Sequence, residues 1–399
     1  MRIAMIIRRL NVKGGAQRQA LELARELQKR GHAIKIYTFA YAKEDCFTDL
    51  SDGLVVVPWD AAYSKAASPR LIFRGSFFEE NRRAKEMALQ IDRDIDLLNP
   101  HDQVSYRVAA YYKKYVKNVP SVWMMNDVPT RSFSFWRERQ FDPRFRVSFL
   151  KGLAHWLMDF YDMRAFIRPQ DAIAVLDNFN RENVRRFLGQ DAVVVRSGLD
   201  VKKFQYKEHS SPNKSNITIL MTGIFMPHRR FEDGIEALGI LADRGYGARM
   251  TIIGDYANDR GYYEKLMQLV REKGLGDRIS FLGKLSDAEL VQNYQRHHIF
   301  VFPNDLQTWG LAVFEAAACG TPVVVSRGAG ACEVLTHREN AMLVNPRAPQ
   351  EIAEAIENLA GDPLLYTMLS RNGRAFVERN LGWDRYADAM EALFTAVKR

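Results

Sequence analysis

At 399 residues the chain is longer than one ordinary domain, and 47% hydrophobic with 26% charged residues is the composition of a globular protein. Disordered, collagen-like and coiled-coil chains are excluded. The cysteines Cys46, Cys319 and Cys332 match no metal-ligand or disulfide spacing, which indicates a reducing compartment. The apolar run near Met1 is shorter than a signal peptide requires, and no stretch approaches 18 apolar residues. We therefore expect neither a secreted nor an integral membrane protein.

The net charge of +9 is concentrated in the first half of the chain. Residues 1–205 hold 35 Lys and Arg against 24 Asp and Glu, whereas residues 206–399 hold 22 against 24. No helix-turn-helix, zinc-finger or RNP pattern accompanies this charge, so nucleic acid is not expected as a partner. An anionic membrane, a phosphorylated acceptor, and solvated side chains without a partner remain open as explanations.

The first forty residues predict a strand, a loop, a helix and a second strand. Residues 2–8 are almost continuously apolar, as a strand buried in a parallel sheet requires. Apolar side chains then recur with helical spacing over 16–30, and Gly31 stands where helices commonly end in glycine. The second strand is predicted at 34–38. This βαβ order predicts a doubly wound parallel sheet.

Strands and helices also alternate in the second half. Strands are predicted at 217–221, 250–253, 279–282, 299–302, 322–325 and 342–344, and helices near 231–244, 260–273, 286–296 and 310–319. Two separate series predict two Rossmann-like domains, 1–205 and 217–380, joined by the polar linker 206–216. Residues 60–90 and 130–168 are aromatic and basic, and their pattern places no strand.

Two glycine-containing loops in the sequence suit an anion. No Gly-x-Gly-x-x-Gly fingerprint follows the first strand, which disfavours an NAD-dependent enzyme. Gly14 and Gly15 precede a helix. Backbone N–H groups at this position can bind an anion, and the alternative is a plain turn before the helix. Gly223 opens the loop after the strand at 217–221, and that loop ends in Arg229 and Arg230. These arginines are suited to bidentate binding of a phosphate group, and the alternative is a solvent-exposed pair without a ligand.

The densest polar segment of the chain is 303–315, between a predicted strand and a predicted helix. Ligands of open α/β sheets bind beyond the carboxyl ends of the strands, and helix N-termini favour pyrophosphate. The loop residues expected to face a ligand are Gln307, Thr308, Trp309, Gly310 and Leu311. Glu315 follows among apolar neighbours, where it either accepts hydrogen bonds from ribose hydroxyls or serves the helix dipole.

These motifs, taken as a set, resemble the retaining GT-B glycosyltransferases of family 4. The matching strings are Gly14-Gly15-x-x-Arg18, Val195-x-x-Gly198-x-Asp200-x-x-x-Phe204, the block from Gly310 to Val323, Glu333, Asn345-Pro346 and the terminal helix with Trp383. The resemblance implies two Rossmann-like domains facing a cleft, with the donor on the C-terminal domain and the acceptor on the N-terminal one. It also implies that the helix at 381–399 returns to the N-terminal domain.

The resemblance assigns roles to several of these residues. Glu315 resembles the second glutamate of the family's E-x7-E pattern, which binds the donor ribose. Arg229 stands at the position of the family's phosphate-binding lysine. Glu333 resembles the residue near the donor base and sugar. Gly15 resembles the glycine whose backbone lies near the diphosphate and the acceptor.

The sequence departs from the family pattern at three positions. The first glutamate of E-x7-E is Gln307, and the arginine that follows the phosphate-loop glycine is Ile224, for which Arg230 is a candidate substitute. The family's active-site histidine falls on Asn126, beside Asp127. His101 resembles the family's first histidine position, with a buried structural role as the alternative. The sequence leaves open which of His101, Asn126 and Asp127 faces the sugar.

The resemblance implies transfer of a hexose-type sugar from a UDP- or GDP-linked donor to an acceptor hydroxyl with retention of configuration. Polysaccharide, glycolipid or glycoconjugate biosynthesis is the expected setting, without a metal or another cofactor. The leaving diphosphate accepts the acceptor's proton, so the protein mainly positions and stabilises charge. Arg229, Arg230, His101, Asn126 and Asp127 are the catalytic candidates. A nonhydrolysing nucleotide-sugar epimerase and a silent nucleotide-sugar-binding subunit remain alternatives.

The segment 130–168 interleaves aromatic and basic side chains. Such a segment either packs as helical core or lies in a membrane interface against anionic lipid. The positive charge of residues 1–205 favours the second interpretation. We therefore expect a cytoplasmic protein with peripheral contact at the inner face of the membrane, and a glycan, lipid-linked or small-molecule acceptor.

Overall fold

The computed structural model describes residues 1–59, 77–257, 259–306 and 309–398. The chain folds as two compact units. Unit 1 comprises Met1–Gly198 and the segment that begins at Trp383, and unit 2 comprises Leu199–Gly382. The division lies ahead of the predicted boundary at residue 205, because the Leu199 N–H donates to the Leu381 carbonyl at 2.6 Å.

Unit 1 is built on a parallel sheet. Its described strands are Arg2–Leu10 (β1), Ala33–Tyr41 (β2), Val55–Pro58 (β3), Leu97–His101 (β4), Val122–Met124 (β5), Ala172–Val175 (β6) and Val193–Val194 (β7). They lie in the order β3-β2-β1-β4-β5-β6-β7. Residues 3–7 of β1 are fully buried, because this strand is covered on both faces and paired on both edges.

Helices follow most of these strands. They are Gly15–Lys29 (α1), Thr48–Ser51 (α2), Phe77–Gln90 (α3), Ser105–Tyr115 (α4), Arg131–Phe141 (α5), Phe149–Asp162 (α6) and Asn178–Leu188 (α7). The helix α6 continues into one π-helical turn, Met163–Ile167. The aromatic and basic segment 130–168 therefore contains two helices, and residues 60–76 of the other unassigned stretch lie outside the described part of the chain.

Unit 2 repeats the same architecture. Its strands are Ile217–Thr222 (β8), Ala248–Ile253 (β9), Ile279–Leu282 (β10), Ile299–Phe302 (β11), Val323–Ser326 (β12) and Met342–Val344 (β13), in the parallel order β10-β9-β8-β11-β12-β13. Its helices are Phe231–Asp243 (α8), Arg260–Glu272 (α9), Asp287–Arg296 (α10), Leu311–Ala318 (α11), Pro349–Gly361 (α12) and Pro363–Asn380 (α13). Two Rossmann-like parallel-sheet units confirm the predicted fold class.

The C-terminal helix Trp383–Lys398 (α14) packs in unit 1. His32 contacts Glu391 at 2.7 Å, and Arg30 forms an ion pair with Asp388 at 2.8 Å. A Cβ atom at Gly198 would lie 2.8 Å from Trp383, so glycine permits this close approach. No helix within the described ranges combines the length and apolarity needed to cross a bilayer.

Candidate functional site

The polar residues of unit 2 collect at the carboxyl edge of its sheet. Strands β8 and β11 are neighbours, so the loops that follow them emerge side by side. The Asp305 N–H donates to the His228 carbonyl at 2.9 Å and joins the two loops directly. The sheet order thus brings together the two segments that the sequence singled out separately, 223–230 and 303–315.

Arg229 lies at this edge without an acidic partner among the described residues. It is half-buried in a 3₁₀ turn, Pro227–Arg229, and no carboxylate of the described ranges pairs with it. Its Nη1 donates to the buried Asn304 amide oxygen at 2.9 Å when that amide is turned toward it, while its Nε is buried without a partner. Burial lowers the pKa of Arg229 to about 10, so it stays protonated at neutral pH. An anion at this edge would satisfy it.

Arg230 has a different environment from Arg229. Its guanidinium pairs with Asp233 at 2.5 Å and with Glu232 at 2.6 Å. Its φ of 52° places the backbone in the left-handed region and turns the side chain toward these carboxylates. Both arginines are phosphate-binding candidates from the sequence, Arg229 at the family's lysine position and Arg230 as a substitute for the arginine missing at Ile224, and these ion pairs distinguish them.

Glu315 lies on α11 and is buried. Its Oε2 accepts a hydrogen bond of 3.0 Å from the hydroxyl of Tyr294, which is itself fully buried on α10. Burial, followed by the charge of Glu315, raises the pKa of Cys319 to about 12. Tyr294 is not among the site residues predicted from the sequence, although its position in an amphipathic helix marks it as inward-facing.

The loop before α11 is shaped by Trp309 and Gly310. The Trp309 ring is buried and packs on Phe314, with 4.8 Å between ring centroids. Gly310 caps the helix with a φ of 92°, and Leu311 is the first helical residue. The backbone N–H groups of the first turn therefore emerge at the carboxyl edge of β11. Gln307 and Thr308 lie outside the described residues.

We predict that Gly310→Ala strongly destabilises unit 2. A left-handed backbone costs a non-glycine residue about 1–2 kcal/mol. The new Cβ would also lie 2.8 Å from the Phe302 ring, and overpacking costs about 1–3 kcal/mol. Calorimetric unfolding should show a clearly lowered Tm. The control is Gly15→Ala, whose Cβ would meet no atom within 4 Å. An unchanged Tm for Gly310→Ala would contradict the strained cap.

Glu333 lies on a neighbouring loop, in the 3₁₀ turn Gly330–Val334 that follows β12. This loop packs tightly on the loop after β11, because a Cβ at Gly328 would lie 2.8 Å from the Asp305 carboxylate. Asp305 also accepts a hydrogen bond of 2.7 Å from Arg347. Three adjacent loops and the helix α11 therefore carry those donor-binding candidates of unit 2 that the structure describes, Gly223 included.

The carboxyl edge of the unit 1 sheet carries the other candidates. Gly14 is the N-cap of α1 and Gly15 its first residue. The space next to Gly15 is open, since a Cβ there would meet nothing within 4 Å. The first-turn N–H groups of α1 have no partner within the helix, and such groups bind anions.

His101 is the last residue of β4 and is fully buried. Its Nε2 lies 2.9 Å from the Asn99 Oδ1, whose amide nitrogen donates to the Val122 carbonyl. Burial lowers the pKa of His101 to about 3, so the ring is neutral at physiological pH. Its other ring nitrogen, Nδ1, is buried and has no hydrogen-bond partner in the described ranges.

Asn126 and Asp127 follow the neighbouring strand β5. Asp127 accepts hydrogen bonds from Arg137 at 2.8 Å and from the Val128 N–H at 3.0 Å. Asn126 is half-buried, and its amide nitrogen has no hydrogen-bond partner in the described ranges. Asn126 and His101 therefore each have one side-chain nitrogen at this edge without a hydrogen-bond partner in the described ranges.

Two family models match consecutive parts of the chain. Residues 13–203 match the model described as Glycosyltransferase Family 4, and residues 202–376 match the model described as Glycosyl transferases group 1.

Curated relatives match over a shorter length. A Mycobacterium tuberculosis protein named GDP-mannose-dependent alpha-(1-6)-phosphatidylinositol dimannoside mannosyltransferase is 27% identical over 57% of this chain and 58% of its own length. A D-inositol 3-phosphate glycosyltransferase from Pseudarthrobacter chlorophenolicus is 30% identical over 41% of this chain and 39% of its own. The chain thus spans 58% and 39% of the lengths of these two curated relatives.

Solved structures share the fold along the whole chain. HepE from Anabaena in complex with UDP superimposes with a TM-score of 0.74 over 99% of this chain and 100% of its own, at 16% identity. WaaG, described as a glycosyltransferase involved in lipopolysaccharide biosynthesis, gives a TM-score of 0.65 over 98% and 99%, at 14% identity. At these identities the likeness shows the fold alone.

Proposed function

The chain belongs to the glycosyltransferases, family 4 in its N-terminal part and group 1 in its C-terminal part, and from this membership we propose that it moves a hexose-type sugar from a nucleotide diphosphate sugar to an acceptor hydroxyl with retention of configuration. The observation that carries the proposal is Arg229, a protonated and half-buried guanidinium without a carboxylate partner in the described residues. It lies at the sheet edge from which α11 begins. Such a cation requires an anion, and a diphosphate supplies one.

We assign the donor to the three loops of unit 2. Arg229 and the first-turn N–H groups of α11 would bind the diphosphate, and Glu315 would accept hydrogen bonds from the ribose. Arg230 is left out of this assignment because Glu232 and Asp233 occupy its donors. The proposed donor is UDP- or GDP-linked: the HepE structure holds UDP, and the mycobacterial relative is named as GDP-mannose-dependent.

Retention requires little acid–base work from the protein. The bond from the anomeric carbon to the diphosphate oxygen breaks on the face where the acceptor oxygen forms its new bond. The leaving diphosphate takes the proton of the acceptor hydroxyl. Arg229 would stabilise the negative charge that grows on the diphosphate, which is the role of a divalent cation in other transferases. We propose that the reaction proceeds without a metal or another cofactor.

The acceptor is assigned to unit 1. Asn126 offers an unsatisfied amide donor, and a Cβ at Gly15, the first residue of α1, would meet nothing within 4 Å. Asp127 is held by Arg137 and takes a positioning role, whereas the Nδ1 of His101 is buried without a hydrogen-bond partner in the described ranges, so His101 stays a candidate beside Asn126. The relative named as a phosphatidylinositol dimannoside mannosyltransferase supports a lipid-linked acceptor, and hence a glycolipid or related glycoconjugate as the product.

A donor screen tests the proposal. UDP-, GDP- and dTDP-sugars are compared by thermal shift, and a ligand at 100 times its Kd adds about 2.7 kcal/mol of stability. The bound donor is then incubated with and without acceptor, and NMR of the product reports the anomeric configuration. An inverted product would refute retention. Conversion of the donor to its epimer would identify an epimerase, and binding without turnover would identify a silent subunit.

A further inference from the structure

The helix α6 presents its apolar face to solvent. Seven of its large apolar side chains are exposed: Phe149, Leu150, Leu153, Trp156, Leu157, Phe160 and Tyr161. Their spacing places all of them on one side of the helix. Phe149 is 82% exposed and Trp156 is 56% exposed. A helix of a globular domain normally buries this side, so α6 has the reverse orientation.

The polar side of α6 is the one packed against the protein. The carboxylate of Asp159 is buried and accepts hydrogen bonds from the N–H groups of Arg131 and Ser132, at 3.0 Å and 2.9 Å. The His155 ring stacks on Phe135 of α5, with 5.1 Å between centroids. These contacts fix the rotation of the helix about its axis and hold the apolar side outward.

A second polar contact anchors the end of the helix. Asp162 is buried and pairs with the guanidinium of Arg107 on α4 at 2.7 Å, and the Tyr106 hydroxyl donates to the same carboxylate. Rotating α6 to bury its apolar side would withdraw Asp159 and Asp162 from their partners and leave Arg107 without this carboxylate. The orientation is therefore built into unit 1.

Basic side chains border the apolar side. Arg144 and Arg146 lie in the loop before α6, and Lys151 lies in its first turn. All three are exposed, and no carboxylate of the described ranges forms an ion pair with them. They belong to the half of the chain in which Lys and Arg outnumber Asp and Glu by 35 to 24. The three cations and the apolar side of α6 together complement a bilayer of anionic lipid, whose head groups are negative and whose interior is apolar.

We propose that α6 lies in the interface of a bilayer that contains anionic lipid, with its apolar side in the acyl boundary and Arg144, Arg146 and Lys151 against the head groups. Trp156 and Tyr161 suit this depth, because their rings are apolar with a polar edge. The inference rests on the geometry of unit 1 and does not depend on the proposed reaction. It identifies the part of unit 1 that brings the protein to a lipid surface.

Vesicle co-sedimentation of the full chain tests the proposal. Equimolar phosphatidylcholine and phosphatidylglycerol vesicles should bind the protein at low salt, and phosphatidylcholine alone or high salt should weaken binding. The double variant Trp156→Ser with Leu157→Ser should lower partitioning by roughly tenfold per side chain. Its circular dichroism and Tm should match those of the wild type, because both side chains are exposed. The matched control is Leu364→Ser with Met368→Ser, at exposed positions of α13.

The charge contribution has its own variant and control. Alanine at Arg144, Arg146 and Lys151 should lower partitioning into the anionic vesicles by about fivefold per cation. Alanine at the exposed unit 2 cations Lys265, Arg271 and Lys284 makes the same charge change and should have little effect.

Three results would overturn the proposal. The first is no binding to anionic vesicles at low salt. The second is wild-type binding by the Trp156→Ser, Leu157→Ser variant. The third is a set of three observations: sedimentation velocity without lipid detects a dimer of the wild type, the Trp156→Ser, Leu157→Ser variant is monomeric, and vesicles bind neither protein. That outcome would assign the apolar side of α6 to a second copy of the chain.

Discussion

Arg229→Ala is expected to lower kcat by about a hundredfold to a thousandfold, with a much smaller change in donor affinity. The negative charge on the leaving diphosphate grows in the transition state, so a cation beside it stabilises that state more than the bound donor. The loss of one donor to such a charge has this magnitude in other enzymes. Steady-state kinetics with saturating donor and direct measurement of donor Kd separate the two effects.

Two variants serve as controls for Arg229. Arg229→Lys retains the charge but loses the forked donors, so it should recover only part of kcat. Arg230→Ala removes a guanidinium that is already paired with Glu232 and Asp233, so its main effect should be on stability. If Arg229→Ala raises only KM and leaves kcat intact, Arg229 is a uniform binding residue. Equal losses of kcat in Arg229→Ala and Arg230→Ala would contradict the distinction between them.

Glu315→Ala is expected to weaken binding of the nucleotide diphosphate by at least about tenfold. Each charge-assisted hydrogen bond to a ribose hydroxyl contributes about 1.5–3 kcal/mol, and alanine removes the acceptor. Calorimetric titration with UDP and GDP measures the loss, and 2′-deoxy nucleotides should lose little further affinity for this variant. Unchanged affinity in a folded Glu315→Ala protein would remove Glu315 from the donor site.

Tyr294→Phe is the matched control for Glu315. It removes the hydroxyl that donates to Glu315 at 3.0 Å and leaves the carboxylate in place. We expect a stability loss of about 1 kcal/mol, typical of one buried hydrogen bond, with a small change in nucleotide affinity. A loss of affinity as large as that of Glu315→Ala would show that Glu315 acts through its contact with Tyr294.

The sequence by itself determined the architecture of both units. Buried parallel strands require continuous apolar runs, and such runs predicted β8 at 217–221 and β11 at 299–302, where the structure has Ile217–Thr222 and Ile299–Phe302. The sequence singled out the loops after these two strands separately, and both follow the carboxyl end of a strand in the same parallel sheet. The structure joins those loops through the Asp305 N–H and the His228 carbonyl.

Only the tertiary structure decided which polar side chains lack a partner within the protein and are therefore available to bind a ligand. Arg229 and Arg230 are adjacent and chemically identical, yet only Arg230 lies within reach of Glu232 and Asp233. His101 is buried and neutral, and its Nδ1, like the amide nitrogen of Asn126, has no described partner. Which of two adjacent side chains reaches a partner depends on the backbone conformation and burial of the folded chain, so the order of residues alone does not specify it.

The segment 130–168 shows most clearly what the sequence predicts and what only the tertiary structure decides. Helical spacing of its aromatic residues predicts an amphipathic helix, and α6 is one. Periodicity gives the two sides of a helix but not which side meets solvent. That choice depends on the hydrogen bonds of Asp159 with α5 and on the ion pair of Asp162 with Arg107. Only the folded unit supplies these partners, and they turn the apolar side of α6 outward.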